Sequence, residues 1–462
     1  MASEIRVNKI INRSGLSTVT FTDDGAIVSG IVTANSFSGN VTGNVTGNVT
    51  GAVTGSGANL TSIPAGQLTG TVADARLSTV SSSKLSGALP AIDGSNLTGV
   101  GASFGNSSVN TSGIITATAF VPSAQGSLSH RNLVINGAMR VAQRATSSTA
   151  NGYGDLDRWQ HEYASTDENP TFAQVSLTTS DTPYTLGLTK TAKITNGNQT
   201  SGLQSSSQIN FNQNMEAQDI RNSGWNYKSS SSYITLSFWV RASVSQNYHG
   251  FVKTADGSMY SYSYETGTLS ANTWTKITKA IPGNSNLQID DDNGSGFQIF
   301  PIAIYGTGFT DNSISNDVWK SWSSGLRTKD QTSTWYTTNN ATLEITGVQL
   351  EVGPVATPFE HRSIGDEMLR CKRYFQPYIQ YAEYVSGGTG NLGFPYTAFT
   401  VPMRASPTFT SDHESKSSNW SFATMQVQGS DAYGYYAYAI SYNTTNSNYG
   451  YMRRYGGASA EL

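Results

Sequence analysis

Eight tyrosines, Tyr433, Tyr435, Tyr436, Tyr438, Tyr442, Tyr449, Tyr451 and Tyr455, fall within 23 residues near the end of the sequence. A tyrosine ring is a rigid amphipathic plate with a polar tip, suited to stacking on a sugar face while its hydroxyl meets the sugar's own. Arg453 and Arg454 add planar donors that could hold acidic groups of a surface glycan. In YGYYAY, strand alternation puts Tyr433 and Tyr435 on one face and Tyr436 and Tyr438 on the other. At least one set is therefore expected to be structural, filling strands or a subunit interface. Trp239 is a second candidate, set opposite the aliphatic face of its strand and flanked by Tyr233 and Arg241. It could serve as a sugar platform, although packing against a neighbouring chain or a crossing loop is the simpler role. Trp319, Trp322, Trp335 and Tyr336 sit in a Ser/Asn/Thr-rich stretch and are open to the same two readings.

Other chemistries have less to stand on. Asp290, Asp291 and Asp292 offer hard oxygen ligands, but Gly294 falls at the fifth position, where a calcium loop of the EF-hand type needs an oxygen. A solvated turn is the favoured reading. His130, His161, His249, His361 and His413 are scattered with no H-x-x-x-H pair, so zinc has no support, and no cofactor is expected. The single Cys371 excludes an intrachain disulfide framework and reads as a small buried apolar residue. Asp155 and Asp157 are close in sequence, yet nothing marks them as the matched acid and base of a glycosidase. Neither a nucleophile elbow nor a phosphate-binding loop occurs, and the expectation is that the chain is not an enzyme.

The elements that must carry these residues are written in the composition. The 462 residues are 37% hydrophobic and only 13% charged, about half the globular norm of ~25%. A net charge of -3 gives no general attraction to nucleic acid or to an anionic membrane. MASEIRVNKI is not a secretory signal, and no run of ~18 apolar residues suggests membrane insertion. Length suggests roughly three domains of ~150 residues.

Composition changes near residue 130. The first 129 residues hold only four aromatics, Phe21, Phe37, Phe104 and Phe120, with no Trp or Tyr. So little apolar area cannot build a core alone. The unit NVTG nevertheless repeats from Asn40 to Gly55, with Val and Gly on one strand face and Asn and Thr on the other. Three chains winding about an axis would bury the valines against one another, with Gly allowing close backbone approach. A flexible Gly/Thr linker is the competing reading, and the parity kept over four repeats favours the trimeric shaft. A longer repeat supports it, since Ser29–Phe37 (SGIVTANSF) is echoed by Ser112–Phe120 (SGIITATAF).

Residues 130–362 read as one β domain. In YITLSFWVRAS, Ile234, Leu236, Phe238, Val240 and Ala242 face one way. Further strands are expected at FAQVSLT, TWTKITKAI, FQIFPIAIY and ATLEITGVQLEV. In the last, the apolar phase shifts between Leu343/Ile345 and Val348/Leu350, which predicts a bulge near Gly347. Many strands parted by Asn/Gly/Ser turns suggest a β-sandwich of jelly-roll type. Residues 363–462 open with a short helix capped by Ser363, with Asp366 at its third position, and return to Tyr/Gly-rich strands.

Several of these stretches resemble those of a known family. SEIRVNKIINRSGLSTVTFTDDGAIVSGIVTANSFSGNVTGN resembles the N-terminal part of tail-fibre proteins from tailed phages of marine cyanobacteria. NLVINGAMRVAQR (Asn132 to Arg144), DRW (Asp157 to Trp159) and VQLEVGPVATPFEHR (Val348 to Arg362) resemble the middle domain of many phage fibres. RCKRYF (Arg370 to Phe375) and FPYTAFTVPMRASPTFT (Phe394 to Thr410) resemble their distal region. The resemblance implies an all-β, homotrimeric virion fibre, bound through its N-terminus to a baseplate or tail protein and recognising the host surface distally. The full expectation is an attachment segment (1–38), a shaft (39–129), a jelly-roll domain (130–362) and a Tyr-rich tip (363–462) that adsorbs to host polysaccharide. A purely structural capsid whisker or tail connector is the main competitor, and a polysaccharide depolymerase the lesser one.

Overall fold

The computed structural model describes residues 9–11, 18–23, 25–29, 31, 130–384, 389–393, 396–416, 424–443 and 450–462. The chain divides into two compact units, Met1–Ser112 and Gly113–Leu462. The shaft expected at 39–129 lies outside the described residues, as does Tyr449.

In the first unit, β1 (Lys9–Ile11), β2 (Thr18–Thr22) and β3 (Gly25–Ser29) form an antiparallel three-stranded sheet. Ile10 pairs with Val19, and Val19 with Val28. Ile27 is 57% and Ile31 96% exposed. Three short strands need one face buried to be stable, and these side chains are not buried by their own unit.

The second unit begins with β4 (Ser147–Ser148), β5 (Gln160–Ala164) and β6 (Thr171–Ser176), then the single turn α1 (Thr182–Thr185). There follow β7 (Lys190–Thr195), β8 (Gln208–Glu216), α2 (Ala217–Arg221), β9 (Tyr233–Ala242), β10 (Asn247–Thr254) and β11 (Tyr260–Thr268). Next come β12 (Thr275–Pro282), β13 (Ser295–Tyr305), β14 (Trp319–Ser321), α3 (Thr334–Thr337) and β15 (Thr342–Val352). These strands build two six-stranded antiparallel sheets, ordered β14-β11-β10-β13-β8-β5 and β12-β9-β15-β7-β6-β4. The chain crosses repeatedly between them, as in a jelly roll.

Alternation explains why the sheets face each other. Ile234, Leu236, Phe238, Val240 and Ala242 on β9 are all fully buried, as their spacing predicts. Each larger one contributes roughly 1.5–3 kcal/mol by leaving water. Trp159 stacks on Phe211 at 4.4 Å within the same core, and Trp335 and Tyr336 are buried there too. Trp319 packs edge-on to Tyr262 and donates its indole N–H to the Pro282 carbonyl at 2.6 Å, whereas Trp322 stacks over Phe251 outside that core.

Helix α4 (Ile364–Lys372) then leads into the tip. The Ser363 hydroxyl accepts from the Asp366 amide at 3.1 Å, the cap its sequence calls for. The tip strands are β16 (Phe375–Tyr384), β17 (Thr389–Gly393), β18 (Thr397–Ala398), β19 (Thr408–Lys416), β20 (Thr424–Ser430), β21 (Gly434–Asn443) and β22 (Gly450–Ser459). They make one sheet ordered β16-β22-β19 and another in which β21 pairs with β17, β18 and β20.

Tip and sandwich are joined by a cluster of arginines, glutamates and aromatic rings. Arg373 grips buried Glu216 through two contacts of 2.7 and 2.8 Å, and the Tyr374 hydroxyl donates to the same carboxylate at 2.6 Å. Arg158 lies 3.4 Å over the Tyr374 ring and pairs with Glu461. Arg144 lies 3.7 Å over Phe375 and 3.1 Å from Glu461. Cys371 is fully buried beside them, and burial pushes its thiol well above the usual range.

Candidate functional site

The outer face of the β12-β9-β15 side of the sandwich carries a groove whose floor is Trp239. The register sets Lys276 of β12 directly across from Trp239 on one side and Thr346 of β15 on the other. Between Thr346 and Gln349, β15 advances three residues while β9 advances two, which is the predicted bulge. Its extra residue, Gly347, has φ +61°, where a side chain is disfavoured. A Cβ there would lie 2.7 Å from Leu188 Cδ1 and 3.3 Å from Trp239 Cδ1. Glycine thus leaves room for the indole and keeps the floor open. The Val348 amide turns out of the ladder to the Gly137 carbonyl at 2.9 Å, and the Val348 carbonyl receives Asn132 Nδ2 at 3.0 Å.

A strap, residues 353–361, forms one wall. Polar side chains on the outer face of β15 hold it. The Thr357 amide donates to Glu351 Oε1 at 2.8 Å, and the Glu360 amide to Gln349 Oε1 at 2.8 Å. Gln349 Nε2 closes the network on Glu351 at 2.8 Å. The opposite wall is the loop after α1, with exposed Leu186 and buried Leu188. His361 Nε2 sits 2.8 Å from the Leu186 carbonyl, which can only accept, so this nitrogen carries the proton and ties the walls together. The resulting groove has a volume of about 560 Å³ and is further lined by Pro358 and Phe359. This lies within the range of small-ligand sites.

Its electrostatics are one-sided. Arg241, two residues along β9, is held by Asp181 at 2.6 Å and Glu344 at 2.8 Å, and lies 4.8 Å over the Trp274 ring. Glu344 also faces Lys193 across the β15–β7 register. Burial works against the Asp181 charge, but hydrogen bonds from Thr178 and the Trp274 indole, together with Arg241, bring the carboxyl down to about 2. Lys276 is exposed, and among the described residues its ammonium has no acidic partner. No carboxylate lines the groove.

The tip places its candidates differently from their spacing. Tyr433 precedes β21 in a turn closed by Asp431, whose Oδ1 accepts from the Tyr433 and Gly434 amides at 2.8 and 2.9 Å. Strand parity starts only after that turn, so Tyr433 and Tyr435 do not share a face. Tyr433 is 65% exposed and Tyr435 only 2%. Tyr435 packs on Phe409 at 5.1 Å and Phe399 at 5.6 Å in the tip core, which corrects its assignment as a receptor platform. Tyr436 is 50% exposed and lies 5.5 Å from Tyr396. Arg453 is exposed and Arg454 half-buried on β22, with Tyr455 next to them. Tyr438 and Tyr442 fall on β21 and Tyr451 on β22 as backbone positions only. The structure brings Trp239 to a groove and leaves Tyr433 and Tyr436 on the surface. Sequence reasoning missed Lys276, Gly347, Leu188, Phe359 and His361 as groove residues, although the bulge signal pointed to one of them.

Other candidates are engaged elsewhere. Asp155 and Asp157 are fully buried. Asp155 Oδ1 lies 2.6 Å from His161 Nε2. Burial pushes the Asp157 carboxyl up to about 6, against the hydrogen bonds from Gln143 and the charge of Arg144. In the acidic run, Asp292 Oδ1 accepts from the Gly294 amide at 2.9 Å and Asp291 Oδ1 from Asn222 at 2.9 Å. Two more cavities, about 530 and 430 Å³, share His130 and Arg370. Arg362 and Arg373, which line the smaller one, are already bound to backbone carbonyls and to Glu216.

No family model matches the sequence, and no curated protein matches it. Among solved structures, the chain is similar to the enzymatically active domain of tailspike protein 4 from bacteriophage CBA120, at 10% identity and a TM-score of 0.26. That similarity covers 48% of this chain and 21% of the tailspike chain, so the match spans about a fifth of that protein's length. A family 11 carbohydrate-binding module from Clostridium thermocellum is similar at 10% identity and a TM-score of 0.22, covering 46% of this chain and 98% of the module. A xylan-binding domain from Paenibacillus barcinonensis is similar at 8% identity and a TM-score of 0.21, covering 42% and 87%.

Proposed function

We propose that the chain is a virion fibre that adsorbs to host-surface glycan, with the Trp239 groove as a principal contact. The observation that carries this reading is an aromatic floor set in an open groove between two tied walls. An indole so placed can stack on the apolar face of a sugar ring while the rims meet its hydroxyls. The exposed Tyr433 and Tyr436 of the tip are the secondary contact surface, and exposed Arg453 of β22 is a further candidate contact. Exposed Ile27 and Ile31 in the first unit fit a homotrimer in which three copies cover one another's aliphatic side chains. The N-terminal segment then docks to the particle, as the resemblance implies. Three grooves per fibre turn weak single contacts into durable attachment through effective concentration. Binding is without cleavage.

The test is adsorption of the full chain to purified host envelope polysaccharide, compared with Trp239→Ala. Loss of most binding by a variant that keeps its melting temperature is expected. Undiminished binding by that variant refutes the assignment, and oligosaccharides released by the unaltered chain would refute the non-enzymatic part. Sedimentation at micromolar concentration checks the trimer.

A further inference from the structure

We infer that the Trp239 groove selects an anionic sugar unit, one bearing a carboxylate or a sulfate, and that Lys276 is the residue that recognises the charge. This rests on the glycan-binding reading above. Lys276 and Trp239 are direct cross-strand partners on the same outer face, and facing side chains in an antiparallel pair stand about 5 Å apart at Cβ. A ring stacked on the indole therefore holds its acidic substituent within reach of the Lys276 ammonium. The surroundings leave that ammonium available. The two nearby carboxylates, Asp181 and Glu344, are both held by Arg241. Glu351 is turned to the strap, where it binds Thr357 and Gln349. Every acid around the groove is thus committed to scaffold, and the one exposed cation on its lining lacks a partner among the described residues. A neutral glycan would leave this charge unused, whereas an anionic one completes the pair next to a water-excluding ring, where ion pairs count for more.

The experiment is titration calorimetry of the full chain with three oligosaccharides of equal length: a neutral glucan, an oligogalacturonate and a sulfated galactan. At least one anionic probe should bind about tenfold or more tighter than the neutral one. Lys276→Gln should remove that preference, and Lys276→Glu should reverse it. Preference for galacturonate or for sulfate identifies the source of the charge, and either supports the inference. Equal affinity for all three, or a preference untouched by Lys276→Gln, overturns it. In that case binding lost in Trp239→Ala would still uphold the groove as a glycan site, whereas no Trp239-dependent binding of any probe overturns both.

Discussion

Substituting Gly347 by Ala tests the physical basis of the groove at its floor. The backbone at this position has φ +61°, which costs an L-residue about 1–2 kcal/mol. The new methyl would stand 2.7 Å from Leu188 Cδ1, and Leu188 is buried. Overpacking of that kind costs about 1–3 kcal/mol, so the total is about 2–5 kcal/mol. The two parts separate in a double-mutant cycle. Leu188→Ala alone opens a cavity worth about 2–5 kcal/mol, but in the Gly347→Ala background it also removes the obstructing atom. The double variant should be more stable than the sum of the singles by about 1–3 kcal/mol, leaving only the backbone part unrelieved. Urea unfolding followed by tryptophan emission, compared at constant slope, gives each value. A coupling below about 0.5 kcal/mol would mean that the bulge and Leu188 do not meet as described.

Four shorter predictions follow from other sites. Asp157 titrates near 6 when folded against 3.8 unfolded, so its contribution is fully present below pH ~4 and about 3 kcal/mol is lost as pH rises through 6. Urea midpoints of Asp157→Asn should be flatter than those of the parent between pH 4 and 7, and parallel curves would rule out the buried charge. Arg373→Ala leaves Glu216 buried without its cation and should cost about 3–5 kcal/mol in the same unfolding assay. Tyr435→Ala should cost about 3–5 kcal/mol, whereas Tyr433→Ala should stay within about 0.5 kcal/mol, both read from thermal melts. In adsorption assays, a Tyr433→Ala, Tyr436→Ala double variant should bind host polysaccharide more weakly without loss of stability. Unchanged binding would remove the tip from the contact surface.

What could be read from the residues was whatever a short stretch of chain decides by itself. The five inward side chains of β9, the bulge at Gly347 and the Ser363 cap each follow from a few neighbours. Tyr433 and Tyr435 show where that logic stops, because one carboxylate, Asp431, bends the chain between them and resets the parity. The groove depends on pairings that no local pattern encodes. Lys276 meets Trp239 only through the β12–β9 register, and the strap is held by Gln349 and Glu351, which read in sequence as ordinary outward residues of a strand. Arg158 and Glu461 meet across 303 positions. The motifs are legible in the sequence, yet their residues are spent mostly on structure: Asn132 and Gln349 on the strap and bulge, Arg158, Arg373 and Tyr374 on the junction. On the proposed reading, recognition falls to side chains outside those motifs. Lys276 is one of them, exposed on β12 directly across from Trp239.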